Sequence, residues 1–104
     1  MLTHCVFFWA QGDLAPADVA DFEAGLHTLL AIPTVISGTV GVPATTDRPS
    51  VDRTYSHALM LTFADVAGHD AYQVHPIHNA FHKRCVQYWR KATVYDFVDR
   101  PNGS

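Results

Sequence analysis

Polar positions are scarce along residues 2–10 (Leu-Thr-His-Cys-Val-Phe-Phe-Trp-Ala), where aromatic and aliphatic side chains dominate. Such a run predicts a strand covered on both faces and central in its sheet. Period two puts Leu2, His4, Val6 and Phe8 on one face and Thr3, Cys5, Phe7 and Trp9 on the other. Gln11 to Pro16 is turn chemistry, with Pro16 suited to the first position of a helix. Val19, Phe22, Leu26, Leu29 and Leu30 then recur at helical spacing, and Asp18, Asp21 and Glu23 gather near the start, where the helix dipole favours acids. Ile32-Pro33 ends this helix.

Val35 to Val42 predicts a weaker second strand, with a bulge at Gly38 or Gly41 as one option. Pro43 to Asp52 has no period and reads as a loop. Thr54 to Phe63 predicts a third strand, with Tyr55, His57, Leu59, Leu61 and Phe63 on one face. Asp65 is placed to cap a short helix through Tyr72. Pro76 opens a second helix reaching about Lys91, and Val94 to Val98 predicts a short last strand. The order β-α-β-β-α-β predicts an α+β, ferredoxin-like fold, an antiparallel sheet with helices on one face. One domain spans residues 1–98, and residues 99–104 form a polar tail. The first and third strands are expected side by side and parallel, bringing His4 near His57. If Leu2, Val6, Phe8, Leu59, Leu61 and Phe63 form the sheet's bare face, a second copy is needed to cover it.

Composition narrows the function classes. The chain has 104 residues, 48% hydrophobic and 16% charged, which suits one folded domain and not a disordered segment. A surface short of charge is a further reason to expect an oligomer. A net charge of −3 without a basic run argues against nucleic acid as a partner. The apolar N-terminal segment is too short for a membrane span and lacks the basic region of a signal peptide, so no membrane is expected. Cys5 and Cys85 show no Cys-x-x-Cys spacing and read as reduced thiols of a cytoplasmic protein, with a bridge between them left open.

Candidate chemistry concentrates between Tyr72 and His82, where a tyrosine and three histidines flank Pro76. Histidine titrates near 6.5 and can move a proton or hold a metal at neutral pH. Two functional readings stand. His78, His82 and Cys85 recur at i, i+4 and i+7, a spacing that can present ligands to Zn²⁺. Alternatively, His78 moves a proton while Tyr72 holds a carbonyl oxygen. Against both stands a structural role, with Tyr72 packing at a helix end and His75 completing the turn. His27 and His69 are expected on helix surfaces.

Several of these residues coincide with a known pattern. His4 with Val6-Phe7-Phe8, Ile32-Pro33, Tyr55-Ser56-His57-Ala58-Leu59, Leu61-Thr62-Phe63, Tyr72 with His75-Pro76-Ile77-His78-Asn79-Ala80-Phe81, and Val94-Tyr95-Asp96-Phe97 carry it. Over residues 2 to about 98 the chain resembles the stress-responsive dimeric α/β-barrel family, often called Dabb domains. The resemblance implies a homodimer whose two sheets close a barrel, with a pocket for a small hydrophobic carbonyl compound in each protomer. Plant polyketide cyclases of the family carry out an intramolecular aldol condensation in such a pocket. By resemblance, His78 is the general base and Tyr72 holds the substrate oxygen, while His4, His57 and Phe81 bind substrate. No cofactor is implied for that reaction. Some members hold a metal ion on backbone carbonyls just after the first helix, around Ile32 to Val35 here; no side-chain metal site is assigned. The loop from Pro43 to Asp52 departs from the plant enzymes. Many bacterial relatives have no established activity, so a non-catalytic, ligand-binding or stress-protective dimer is the alternative.

Overall fold

Strand β1 (Leu2–Ala10) lies between β3 (His57–Phe63) and β4 (Trp89–Val98), and β2 (Ser37–Gly41) pairs with the far edge of β3. The computed structural model describes residues 1–102; the last two residues of the expected polar tail lie outside them. All three pairings are antiparallel. This corrects the parallel arrangement expected for β1 and β3. The helix after β1 carries the chain over one strand position, so β2 returns parallel to β1 with a gap between them. β3 then turns back into that gap and runs opposite to both neighbours. His57 therefore sits opposite Phe8, whereas His4 sits opposite Leu61. Four residues of strand separate the two histidines, roughly 13 Å.

Helices α1 (Pro16–Thr28), α2 (Val66–Gln73) and α3 (Pro76–Cys85) cover one face of the sheet. Pro16 occupies the first turn of α1, and Asp18 accepts a hydrogen bond from Ala15 N at 3.1 Å. Asp65 caps α2 as expected, accepting from Gly68 N at 2.9 Å. Among the described residues no helix is long and apolar enough to cross a membrane.

The core is the layer between helices and sheet. Leu2, Val6, Phe8, Leu59, Leu61 and Phe63 lie in it beside Phe22, Leu26 and Tyr72. These strand residues were expected on the bare face; the structure buries them under the helices within one chain. The uncovered face instead carries Cys5, Phe7, Trp9, Met60, Tyr95 and Phe97, with Tyr95 and Phe97 more than half exposed. Cys5 and Cys85 are free thiols on opposite sides of the sheet, which answers the open question of a bridge.

Three local differences have physical causes. The final helix ends at Cys85 and a short 3-10 turn (Val86–Tyr88) leads into a ten-residue β4 where five residues were expected. Trp89 packs on Phe8, Phe22 and Phe81, and Gln11 N donates to Tyr88 O at 2.9 Å; both fix the exit from the helix. Strand β3 starts at His57 because Tyr55 turns to the opposite face, against Phe7 and Trp9, with ring centroids 5.0 Å and 6.5 Å away. The β2–β3 register runs unbroken through Gly38 and Gly41, and the irregularity falls at Trp9–Ala10 against β4.

Gly25 sets how closely α1 approaches α3. A Cβ there would stand 2.5 Å from Cys85 Sγ, and Cys85 is fully buried. Gly25→Ala is expected to destabilise the fold by about 1–3 kcal/mol, as an overpacked core does, which chemical denaturation would read as a lowered midpoint.

Candidate active site

The site begins where α2 stops. Val74 leaves the helical region and His75 is extended (φ −67°, ψ 142°), as the residue before a proline prefers. His75 Nδ1 accepts a hydrogen bond from Ile77 N at 3.1 Å, so this histidine caps α3. The break places Tyr72, at the end of α2, against His78, in the first turn of α3, with ring centroids 4.9 Å apart and nearly perpendicular. Tyr72 is 1% exposed.

Both rings line a cavity of about 290 Å³ between the sheet and the helices. Val6, Phe8 and Leu59 from the sheet and Leu29, Phe81 and Trp89 supply its apolar walls, while His4 and His82 add imidazoles. Of the five residues expected at a site, Tyr72, His78, His4 and Phe81 are brought together here. His57 is not. Its Nε2 donates to Glu23 on α1 at 2.8 Å, its Nδ1 meets the Ser56 hydroxyl at 3.0 Å, and it lines a separate cavity of about 230 Å³ with His27 and Val40. The antiparallel register is the reason for this correction.

Burial first, then the nearby negative charge of Asp96, pushes the Tyr72 phenol well above its ordinary value of 10. Tyr72 thus keeps its proton, and its hydroxyl is able to donate. Burial above all pushes His78 below 6.5, and the neighbouring imidazoles of His82, His4 and His69 act in the same direction. Its position at the positive end of α3 also disfavours the imidazolium. His78 is therefore neutral at pH 7, with a ring nitrogen free to accept a proton. His4, 3% exposed, is also lowered, by burial above all, although Asp96 opposes the shift.

Two residues at this site were not anticipated. Asp96 stands opposite His4 in the β1–β4 register, and its Oδ1 accepts from His4 Nδ1 at 2.5 Å. His69, expected at the surface, has a side chain only 15% exposed and packs on His4 with centroids 5.0 Å apart. Sequence signals for both existed. His69 precedes Tyr72 by three residues, hence shares its helix face, and Asp96 is the only acid within Val94 to Val98. The zinc reading on α3 is not supported, because Cys85 is sealed against Gly25 while His82 is exposed.

Fold and cavity define an α+β protein of ferredoxin-like type with a polar cluster at the wall of a largely apolar, partly open pocket. The family model "Stress responsive A/B Barrel Domain" matches residues 2–99, and the chain belongs to that family. A Dabb family protein with a ferredoxin-like fold from Mesorhizobium loti is similar at 25% identity and a TM-score of 0.78, covering 96% of this chain and 97% of that one. A dimeric ferredoxin-like protein of unknown function from Jannaschia is also 25% identical, with a TM-score of 0.76 over 94% and 98% of the two chains. The hydroxynitrile lyase from Passiflora edulis shares the fold at 22% identity, with a TM-score of 0.79 over 99% and 96%. Comparison with curated proteins finds no match.

The lowered His4 and His78 predict acid sensitivity. Unfolded histidines take up protons near 6.5, whereas these two resist protonation in the folded state. The unfolded chain then binds more protons, so stability is full above about 6.5 and falls as pH drops through that value. Denaturation of chelator-treated protein between pH 7.5 and about 5 should show this decline, and His78→Gln should flatten part of it.

Proposed function

We propose that the protein is a homodimeric, cofactor-independent lyase or cyclase that moves a proton next to the carbonyl of a small hydrophobic compound. The observation that carries this reading is the contact of a neutral histidine with a protonated tyrosine at the wall of an apolar cavity. A carbonyl oxygen accepts the Tyr72 hydroxyl hydrogen bond, which stabilises negative charge as it develops there. His78 accepts the proton from the adjacent carbon. The resulting enolate attacks a second carbonyl in the same molecule, and His78 returns the proton to the new alkoxide. His4 and Phe81 bind the substrate's body, and the apolar walls exclude water. His57 has no part in this scheme.

The exposed sheet face supports self-association. Met60, Tyr95 and Phe97 are 42%, 62% and 57% exposed on one surface, an apolar patch that a second copy would cover. The Jannaschia relative is described as dimeric. A cytoplasmic location accords with the two free thiols.

Hydrogen–deuterium exchange next to the carbonyl of 4-phenyl-2-butanone, followed by mass spectrometry in D₂O, tests the proton step without knowledge of the natural substrate. Wild-type protein should accelerate exchange, and His78→Ala should lower the rate by about 10²-fold or more with an unchanged dimer and nearly unchanged Tm. Tyr72→Phe should also lower it. The rate should fall as pH drops through a midpoint below 6.5 and show no loss near pH 10, where an ordinary tyrosine ionises. Saturable ketone binding with no exchange would instead indicate a binding protein.

A further inference from the structure

We propose that His4, His69 and Asp96 form a binding site for a divalent transition-metal ion at the edge of the cavity. The three residues come from β1, α2 and β4, far apart in sequence, and their ligand atoms lie within 4.8 Å of one another. Among the described residues they are the one such cluster of histidine, cysteine and carboxylate groups. Two imidazoles face the two oxygens of one carboxylate. His4 Nδ1 is 2.5 Å from Asp96 Oδ1, and His69 Nε2 is 3.9 Å from Asp96 Oδ2.

A bound cation would replace the proton that His4 Nδ1 now donates to Asp96 Oδ1, the proton moving to His4 Nε2 or to solvent, and His69 already presents a basic nitrogen to the gap. Asp70 Oδ1 lies 3.2 Å from His69 Nδ1, and a carboxylate can only accept, so the His69 proton resides on Nδ1. His69 Nε2 then presents a lone pair towards Asp96. Only a long 3.4 Å contact from the Gln73 amide answers that lone pair. Metal-bound histidines have the same arrangement, with the far nitrogen donating to a carboxylate and the near nitrogen left basic.

The dimensions and the chemistry both fit. Bonds of about 2.1 Å at tetrahedral angles hold neighbouring ligand atoms roughly 3.4 Å apart. The two separations from Asp96, 2.5 Å and 3.9 Å, bracket that spacing. Two imidazoles and one carboxylate suit zinc, cobalt or iron better than calcium or magnesium. Three protein ligands leave at least one position for water or a small ligand. His4 lines the cavity and the Asp96 side chain is 38% exposed, so the ion has a route in. The site does not depend on the acid–base reading, and its test measures binding rather than turnover.

Chelator-stripped protein titrated with Co²⁺ should bind one equivalent per chain, with visible absorption bands, and Zn²⁺ should displace it. His69→Ala and Asp96→Asn should each weaken binding at least ten-fold, while His27→Ala, altering an exposed histidine of α1, should not. In the unmutated protein, bound Co²⁺ should displace the ring resonances of His4 and His69, a readout that needs no variant to fold. The proposal is overturned if wild-type protein takes up no stoichiometric Co²⁺. Binding unchanged in both ligand variants, or resonance shifts confined to other histidines, would overturn it equally.

Discussion

A helix cannot run through the sequence Val74-His75-Pro76, and the arrangement of the site follows from that constraint. Proline excludes the helical conformation from the residue before it and supplies a ready first turn to the next helix. His75 is extended, its ring caps the new helix, and its amide donates to Tyr72 O at 3.2 Å. An unbroken helix would place Tyr72 and His78 six residues apart along one axis, roughly 9 Å. The break brings their rings to 4.9 Å on one cavity wall. His75 is thus the histidine that shapes the break, and His78 is the one that lines the cavity.

The sheet provides the opposite wall by an equally simple rule. Burial on one strand face alternates with period two, so His4 belongs to the same layer as Leu2, Val6 and Phe8. An imidazole in that layer needs a partner, and the antiparallel register supplies Asp96 directly opposite. His57 meets the same need differently, through Glu23 on α1. Two buried histidines on one sheet face therefore serve two unrelated environments. The phenol and imidazole at the helix break are shifted in opposite directions mainly by the same burial: Tyr72 keeps its proton while His78 stays without its second one.

Periodicity made most of the fold legible. The first strand, the start of α1, the Asp65 cap and the break before Pro76 all follow from local chemistry, because each depends on neighbours within four residues. Pairing partners are not local, and there the reading failed. Nothing in residues 2–10 or 54–63 states that the two strands run in opposite directions, or that helices cover the Leu2 face rather than the Phe7 face. Both faces of β1 are apolar, so alternation carries no label for inside and outside. The length of β4 was hidden because the helical reading from Pro76 ran on to about Lys91, whereas Trp89 is drawn into the cluster of Phe8, Phe22 and Phe81. His69 and Asp96 escaped for the same reason: their roles exist only through contact with His4, more than sixty residues away in sequence.

The central claim is that Tyr72 and His78 together receive a carbonyl compound. A crystal structure of the protein soaked with acetylacetone tests it most directly. One ligand oxygen should lie within hydrogen-bond distance of Tyr72 Oη, with the ligand's central carbon facing a His78 ring nitrogen. A ligand bound only in the cavity beside Glu23 and His57, or one that leaves Tyr72 and His78 untouched, would contradict the account.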